Sequence, residues 1–375
     1  MAEPLKSLYG PDVPVRIAAL IEAVDPDFPV RAFTTDALDG YEELELTPRA
    51  RQIAAALTAH LPDDFAAAAR ILTASLGPPI AGDELEGQGM APFLYLPYVF
   101  YVADAGLDDW EAAMHFQHEL TQRCSCEYSI RGFLEREPER TLARLREWAA
   151  DRSPHVRRLV SEGTRPRLPW APRLRAFVDD PRPVVDLLEL LRDDPTPLVR
   201  RSVANNLNDI GKDHPELLVE VCRRWLDSAT VERRTLVRHA LRSAVKRGDR
   251  GALDLLGFGD QRSASVDGVA IEPAVVEIGG RVRVGMVVTN TGEAPGRYNV
   301  DLRVHFVKAS GATSPKVFKV RKVELDPGEA VELAKAFSVA QQTTRTHHPG
   351  EHRIEVVVNG AARATGSFML RAGSG

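Results

Sequence analysis

The sequence predicts a multidomain chain, an all-α repeat solenoid followed by an all-β sandwich. Three observations lead there. Apolar residues recur every three or four positions through the first 250 residues, one helical segment returns in near-copies, and beyond Gly257 the pattern changes to strict alternation. A length of 375 residues is enough for two or three such units, each with its own core.

Helices are expected over Val15–Ala23, Pro48–His60, Asp64–Leu76, Trp110–Leu120 and Thr141–Ala150, with Asp and Pro placed at their starts as caps and first-turn residues. Gly77–Pro92 is rich in Gly and Pro and reads as a long loop inside the first domain. Two segments then resemble each other at an offset of 43: Asp151-Arg-Ser-Pro-His-Val-Arg-Arg and Asp194-Pro-Thr-Pro-Leu-Val-Arg-Arg. A weaker third copy around Ala229-Thr-Val-Glu-Arg-Arg places Arg233 and Arg234 33 residues after Arg200 and Arg201. Helical units at this period stack into a HEAT-like solenoid. The longer first interval has a visible cause, since Thr164–Arg173 holds three prolines that exclude helix.

Strands follow at Val282–Val288, Tyr298–Val307, Val317–Val323, Ala330–Leu333 and His352–Val358, separated by turn residues such as Asn290-Thr-Gly and Asp326-Pro-Gly. Roughly seven short antiparallel strands in this span suggest an immunoglobulin-like sandwich. The fold class is therefore an all-α HEAT-like repeat solenoid over residues 1–260, followed by an all-β immunoglobulin-like sandwich over residues 261–375.

The overall charge of −5 argues against a polyanionic partner, but its distribution does not. Residues 1–120 carry 6 Lys/Arg against 20 Asp/Glu, whereas residues 121–250 carry 27 against 20. A basic middle segment is the electrostatic footprint of a phosphate-bearing ligand. Cys124, Cys126 and Cys222 form no C-x-x-C pair, so a disulfide framework or zinc site is not expected, and a cytoplasmic location is. No stretch suggests a signal peptide or membrane span. Phosphate-loop, dinucleotide and nucleophile-elbow motifs are lacking, and His347, His348 and His352 flank a Pro-Gly turn rather than forming a metal-ligand pattern. No cofactor or metal is expected.

Laid out at about 100° per residue, Leu198–Ile210 puts Val199, Val203, Leu207 and Ile210 on a core stripe, with Arg201, Asn205 and Asn208 opposite and Asp209 on the flank. Glu127 and Arg131 stand four apart on a stretch expected to be helical, and Arg157 and Arg158 repeat the Arg200 and Arg201 pair. Trp170 lies in the proline-rich segment. On spacing alone, Glu127 could be an ordinary partner of Arg131, Asp209 a local cap, and the arginines a solvated face.

At Cys126-Glu-Tyr-Ser-Ile-Arg-Gly-Phe-Leu, His155-Val-Arg-Arg, Ser161-Glu-Gly-Thr-Arg-Pro-Arg-Leu-Pro-Trp-Ala-Pro and Val199-Arg-Arg-Ser-Val-Ala-Asn-Asn-Leu-Asn-Asp-Ile, the chain resembles the AlkC family of bacterial DNA alkylation-repair proteins. The resemblance extends to the branch with a C-terminal Ig-like domain. It implies a HEAT-like-repeat DNA glycosylase that excises cationic bases, N3-methylcytosine and N3-methyladenine, without base flipping. It further implies that the catalytic Glu, Trp and Asp fall on Glu127, Trp170 and Asp209. The departures are Cys124 and Cys126, where serine or alanine is usual, and Gly132, where proline is common.

From these readings the expected partner is double-stranded DNA containing alkylated bases, bound by a monomer. The expected DNA-binding residues are Arg131, Arg157, Arg158, Arg165, Arg167, Arg200, Arg201 and Asn205, together with Lys316 and Lys319 on a basic strand face. The competing reading is a non-enzymatic solenoid scaffold for a protein or branched DNA.

Overall fold

The computed structural model describes residues 5–81, 91–258, 263–342 and 345–373. The expected domain boundary at 260/261 and most of the Gly77–Pro92 loop lie outside those residues. The described helices are α1 (Asp12–Glu22), α2 (Val30–Leu38), α3 (Leu46–His60), α4 (Phe65–Ala74), α5 (Leu96–Ala105), α6 (Trp110–Thr121), α7 (Ile130–Arg136), α8 (Pro138–Trp148), α9 (Pro154–Gly163), α10 (Arg175–Asp179), α11 (Arg182–Leu191), α12 (Pro197–Asp213), α13 (Pro215–Leu226), α14 (Val231–Ala240), α15 (Arg242–Arg247) and α16 (Arg250–Leu255). No helix among the described residues is long and apolar enough to cross a membrane. The chain divides into two compact units, one of residues 1–213 and 228–240, the other of residues 214–227 and 241–375.

In the first unit the expected capping is visible in atomic detail. The Asp64 side chain accepts the Ala67 N–H at 2.8 Å ahead of α4, and Asp109 accepts that of Ala112 at 3.2 Å ahead of α6. Helix α12 packs between α9 and α14, while α11 lies against α8, α9 and α12. The expected core stripe holds, with Val199, Val203, Leu207 and Ile210 all buried. Asn208 and Asp209 are also buried, contrary to the expectation that Asn208 faces away from the core. A helix flanked on two sides has little outward face left. As the prolines require, no helix forms between Gly163 and Arg175.

Among its described residues the second unit contains α13, α15, α16 and eight strands: β1 (Ala264–Glu272), β2 (Val275–Glu277), β3 (Arg281–Asn290), β4 (Gly296–Val307), β5 (Thr313–Leu325), β6 (Ala330–Ser338), β7 (Gly350–Val358) and β8 (Ala361–Arg371). They form a three-stranded sheet, β1-β3-β6, and a five-stranded sheet, β2-β8-β7-β4-β5. Alternate residues of β3 (Val282, Val284, Met286, Val288) and β4 (Tyr298, Val300, Leu302, Val304, Phe306) fill the space between the sheets. Pairing is antiparallel except for β2 with β8, which is parallel, so the expected all-antiparallel arrangement needs that correction.

Candidate functional site

The repeated Asp-x-Ser/Thr-Pro starts are local capping devices. Asp151 Oδ1 accepts the Ser153 N–H at 2.7 Å and Asp194 Oδ1 that of Thr196 at 2.8 Å, and Pro154 and Pro197 open their helices where an N–H would have no partner. The arginine three residues into each helix turns back on this start. Arg157 Nη1 donates to the carbonyls of Asp151 (2.8 Å) and Arg152 (3.1 Å), and Arg200 Nη1 to those of Asp194 (2.5 Å) and Pro195 (2.8 Å). In α14 the residue that does this is Arg234, whose Nε donates to the Ala229 carbonyl at 3.2 Å. The third copy is thus one residue out of the register read from sequence.

Arg157, and Arg233 beside Arg234, also tie distant segments together. Arg157 donates to both Asp194 oxygens at 2.6 and 3.0 Å, which holds its guanidinium above the usual value, and Arg233 donates to Asp193 at 2.7 and 2.5 Å. Arg157 and Arg200, expected at phosphates, are committed to the protein's own carbonyls and carboxylates.

Glu127 does not lie on a helix. It sits in the turn between α6 and α7, and its partner is Arg158 rather than Arg131. Arg158 Nη2 and Ser125 Oγ both donate to Glu127 Oε2, at 2.9 and 2.6 Å, and Arg158 Nη1 reaches Ser125 Oγ at 2.9 Å. The second arginine of the first pair thereby positions a carboxylate.

Arg131 is buried, and its guanidinium braces the irregular segment after α9. It donates to the carbonyls of Gly163 (3.2 Å), Arg165 (2.8 Å) and Pro172 (2.5 Å). Burial brings its pKa down to about 10. Placed inside the fold and spent on three carbonyls, Arg131 is a loop strut rather than the phosphate contact expected of it. Gly163 makes the approach possible, because a Cβ there would meet Ile130 Cγ2 of α7 at 2.5 Å. Between two of the braced carbonyls stands Trp170. Its φ is +63° and the residue is 87% exposed, so a bulky residue is held in a left-handed conformation with its indole in solvent. Such a backbone costs on the order of 1–3 kcal/mol and persists only where its surroundings over-determine it, a pattern typical of functional sites.

Asp209, on α12, is 2% exposed and carries two cations. Arg165 Nε and Nη2 each lie 2.7 Å from Oδ2, and the Lys212 ammonium lies 2.7 Å from Oδ1. Arg165 Nη1 also donates to Glu162 Oε1 at 2.5 Å. Burial alone would lower the Arg165 guanidinium, but Glu162 and Asp209 together hold it above its ordinary value. Glu162 is fixed in turn by Ser202, to which Ser161 donates at 2.7 Å, and Asn206 donates to the Ser161 carbonyl at 2.7 Å. A continuous polar network therefore runs from Arg131, through the backbone of Arg165, to Asp209. Sequence reading missed Glu162, Ser202 and Lys212. The available signal was Lys212 three residues after Asp209, a spacing that brings side chains together on a helix, whereas Arg165 lies beyond the end of α9.

Among the other expected contacts, Arg167 is paired with Asp213 at 2.7 and 2.5 Å, Asn205 with His239 at 3.0 Å, and Arg201 is exposed. Lys316 and Lys319 do not share a strand face. Lys316 pairs with Val304 on the core side and lies over the Phe318 ring, whereas the exposed Lys319 faces Asp301 on the other side. His347 and His352 are buried beside Phe306, so the cluster is part of the sandwich core.

Known proteins place this architecture. Residues 115–247, which contain Glu127, Trp170 and Asp209, match the family described as a DNA alkylation repair enzyme. Residues 265–372 match the C-terminal Ig-like domain of uncharacterised protein YhaZ. The class is thus a helical DNA-alkylation-repair domain joined to an Ig-like domain. YhaZ of Bacillus subtilis (strain 168), an uncharacterized protein, is 32% identical over 367 residues, covering 98% of this chain and 99% of its own. The Pseudomonas fluorescens alkylpurine DNA glycosylase AlkC, solved bound to DNA containing an abasic site analog, is similar at a TM-score of 0.90 and 34% identity over 99% of this chain and 100% of AlkC. The chain belongs to the AlkC/YhaZ family that carries a C-terminal Ig-like domain.

Proposed function

We propose that this protein is a monofunctional DNA glycosylase with a HEAT-like helical domain, excising cationic N3-alkylated bases such as N3-methylcytosine and N3-methyladenine from duplex DNA. The observation that carries the reading is Trp170, an exposed indole held on a strained backbone in the segment whose Arg165 and Pro172 carbonyls Arg131 braces and whose Arg165 side chain holds the buried Asp209 carboxylate. Full-length similarity to the alkylpurine glycosylase AlkC supports it.

The chemistry fits these groups. Alkylation at N3 leaves the base positively charged, so the glycosidic electron pair departs with the base and cancels that charge without a general acid. Positive charge then develops at C1′, where Glu127 and Asp209 stabilise it electrostatically. A water oxygen bonds to C1′ and gives its proton to a carboxylate. The Trp170 face contributes about 0.5–2 kcal/mol toward a desolvated cation. Because an exposed indole does not form a closed base pocket, the base is excised without flipping. The exposed Arg201 and Lys319 each supply phosphate contacts, Arg158 holds Glu127 in position, and the protein acts as a monomer in the cytoplasm.

The test is base release from a duplex with one N3-methylcytosine, read as alkali-labile abasic sites. Asp209→Asn and Glu127→Gln should bind the duplex as wild type does but lose most of the release. Wild-type turnover in either variant removes that carboxylate from the mechanism. No release by the wild-type protein would favour a scaffold instead.

A further inference from the structure

Asp209 presents two unlike oxygens. Oδ2 faces inward to Arg165, whose side chain is 10% exposed. Oδ1 is covered by Lys212, whose side chain is 41% exposed. The outward oxygen of a buried carboxylate is therefore capped by a side chain already at the surface, one turn further along the same helix. Among the four groups directly ion-paired here the charges balance, with Asp209 and Glu162 set against Arg165 and Lys212. Lifting the ammonium uncovers Oδ1 and leaves the cluster with one net negative charge. That is the complement of a nucleoside bearing one positive charge.

We propose that Lys212 is a displaceable counter-ion of Asp209, occupying the place that a cationic nucleoside takes when lesion DNA binds. The proposal rests on the glycosylase reading and deepens it. A neutral nucleoside that evicts Lys212 loses an ion pair and leaves a buried carboxylate under-compensated, which is unfavourable. A cationic one replaces like with like. Lys212 therefore stays on Asp209 when an undamaged or neutral site binds and yields its place only to a cation, its own pair with Asp209 being exchanged for the pair with the lesion. A long, flexible ammonium chain suits this task better than the fixed, doubly bonded guanidinium of Arg165. Arg165 keeps Asp209 in position throughout.

The experiment compares two duplexes that differ only in charge at one position, a cationic pyrrolidine abasic-site analogue and a neutral tetrahydrofuran analogue. Dissociation constants are measured for the full-length wild type, Lys212→Met and Lys212→Arg. Removing the competing ammonium should tighten Lys212→Met binding to the pyrrolidine duplex by about threefold to fivefold, the range of a partly exposed ion pair. Binding to the tetrahydrofuran duplex should change little, so the selectivity ratio widens, and Lys212→Arg should keep the wild-type ratio. Equal weakening on both duplexes, with a shallower salt dependence, makes Lys212 a phosphate contact and overturns the proposal. Unchanged binding to both reduces it to an ordinary helix ion pair and overturns it as well. Base release by the wild-type protein from N3-methylcytosine DNA is scored separately. Its failure would strike the glycosylase reading, whereas the pair of binding constants strikes the Lys212 proposal.

Discussion

Replacing Arg131 by Met keeps much of the side-chain volume while removing the donors that brace the Trp170 segment. Three carbonyls, those of Gly163, Arg165 and Pro172, lose a charge-assisted hydrogen bond. At about 1 kcal/mol for each acceptor left unsatisfied, the loss is roughly 3 kcal/mol. In a unit of this size that corresponds to a Tm lower by roughly 6–12 °C. The consequence for activity is larger, because the same bonds hold Trp170 at positive φ. Released from them, the backbone relaxes toward negative φ and carries the indole away, and a displacement of about 1 Å at a reacting site costs on the order of a hundredfold in rate. Single-turnover base release from N3-methylcytosine DNA, measured well below the Tm of the variant, should fall by about that factor, with duplex affinity nearly unchanged. Arg131→Lys, able to reach one carbonyl at a time, should recover part of the rate. Wild-type release by Arg131→Met would refute the strut. So would a loss confined to DNA affinity, which would return Arg131 to the phosphate contacts.

Trp170→Gly removes both the indole and the left-handed strain. Its unfolding free energy from urea titration should be equal to or above that of wild type, by up to about 1 kcal/mol, while base release drops; a strongly destabilised Trp170→Gly would show that the indole packs rather than projects. The Ig-like sandwich should lose stability in mild acid. Burial depresses the pKa of both His347 and His352, and His352 uses both nitrogens while neutral, with Nε2–H donating to the His348 carbonyl at 3.1 Å and Nδ1 accepting the Val307 N–H at 3.3 Å. Above the ordinary value of 6.5 both folded and unfolded chains are neutral. Below it the unfolded chain takes up protons first, so stability falls as pH drops from 6.5 toward the lowered folded values. Denaturant midpoints from about pH 7.5 to 5 should show this decline, and His347→Gln with His352→Gln should flatten it. An unchanged decline in the double variant would assign the acid sensitivity to other groups.

Legibility from sequence differed between elements for physical reasons. The stripe of Val199, Val203, Leu207 and Ile210 was readable because helical periodicity alone separates a buried face from the rest. The break between Gly163 and Arg175 was readable because proline forbids helix regardless of context. Strand β8 was missed because Ala361-Ala-Arg-Ala-Thr-Gly-Ser has one β-branched residue, Thr365, and no aromatic one, and its pairing with β7 and β2 makes it a strand. The same applies to β2, three residues long and defined by a parallel partner.

The sequence by itself determined the helical and sandwich periodicities, the capping Asp and Pro at the repeat starts, and the presence of Glu127, Trp170 and Asp209, because each depends on local geometry or residue type. Only the tertiary structure decided which charge meets which. Arg158 rather than Arg131 pairs with Glu127, Arg131 closes on the Trp170 segment 41 residues away at Pro172, and Arg165 spans 44 residues to Asp209. A long, flexible guanidinium chooses its acceptor by the position of distant backbone and carboxylates. Spacing along the chain fixes only the helix neighbours it could have chosen, and here the buried partners brought in by folding won.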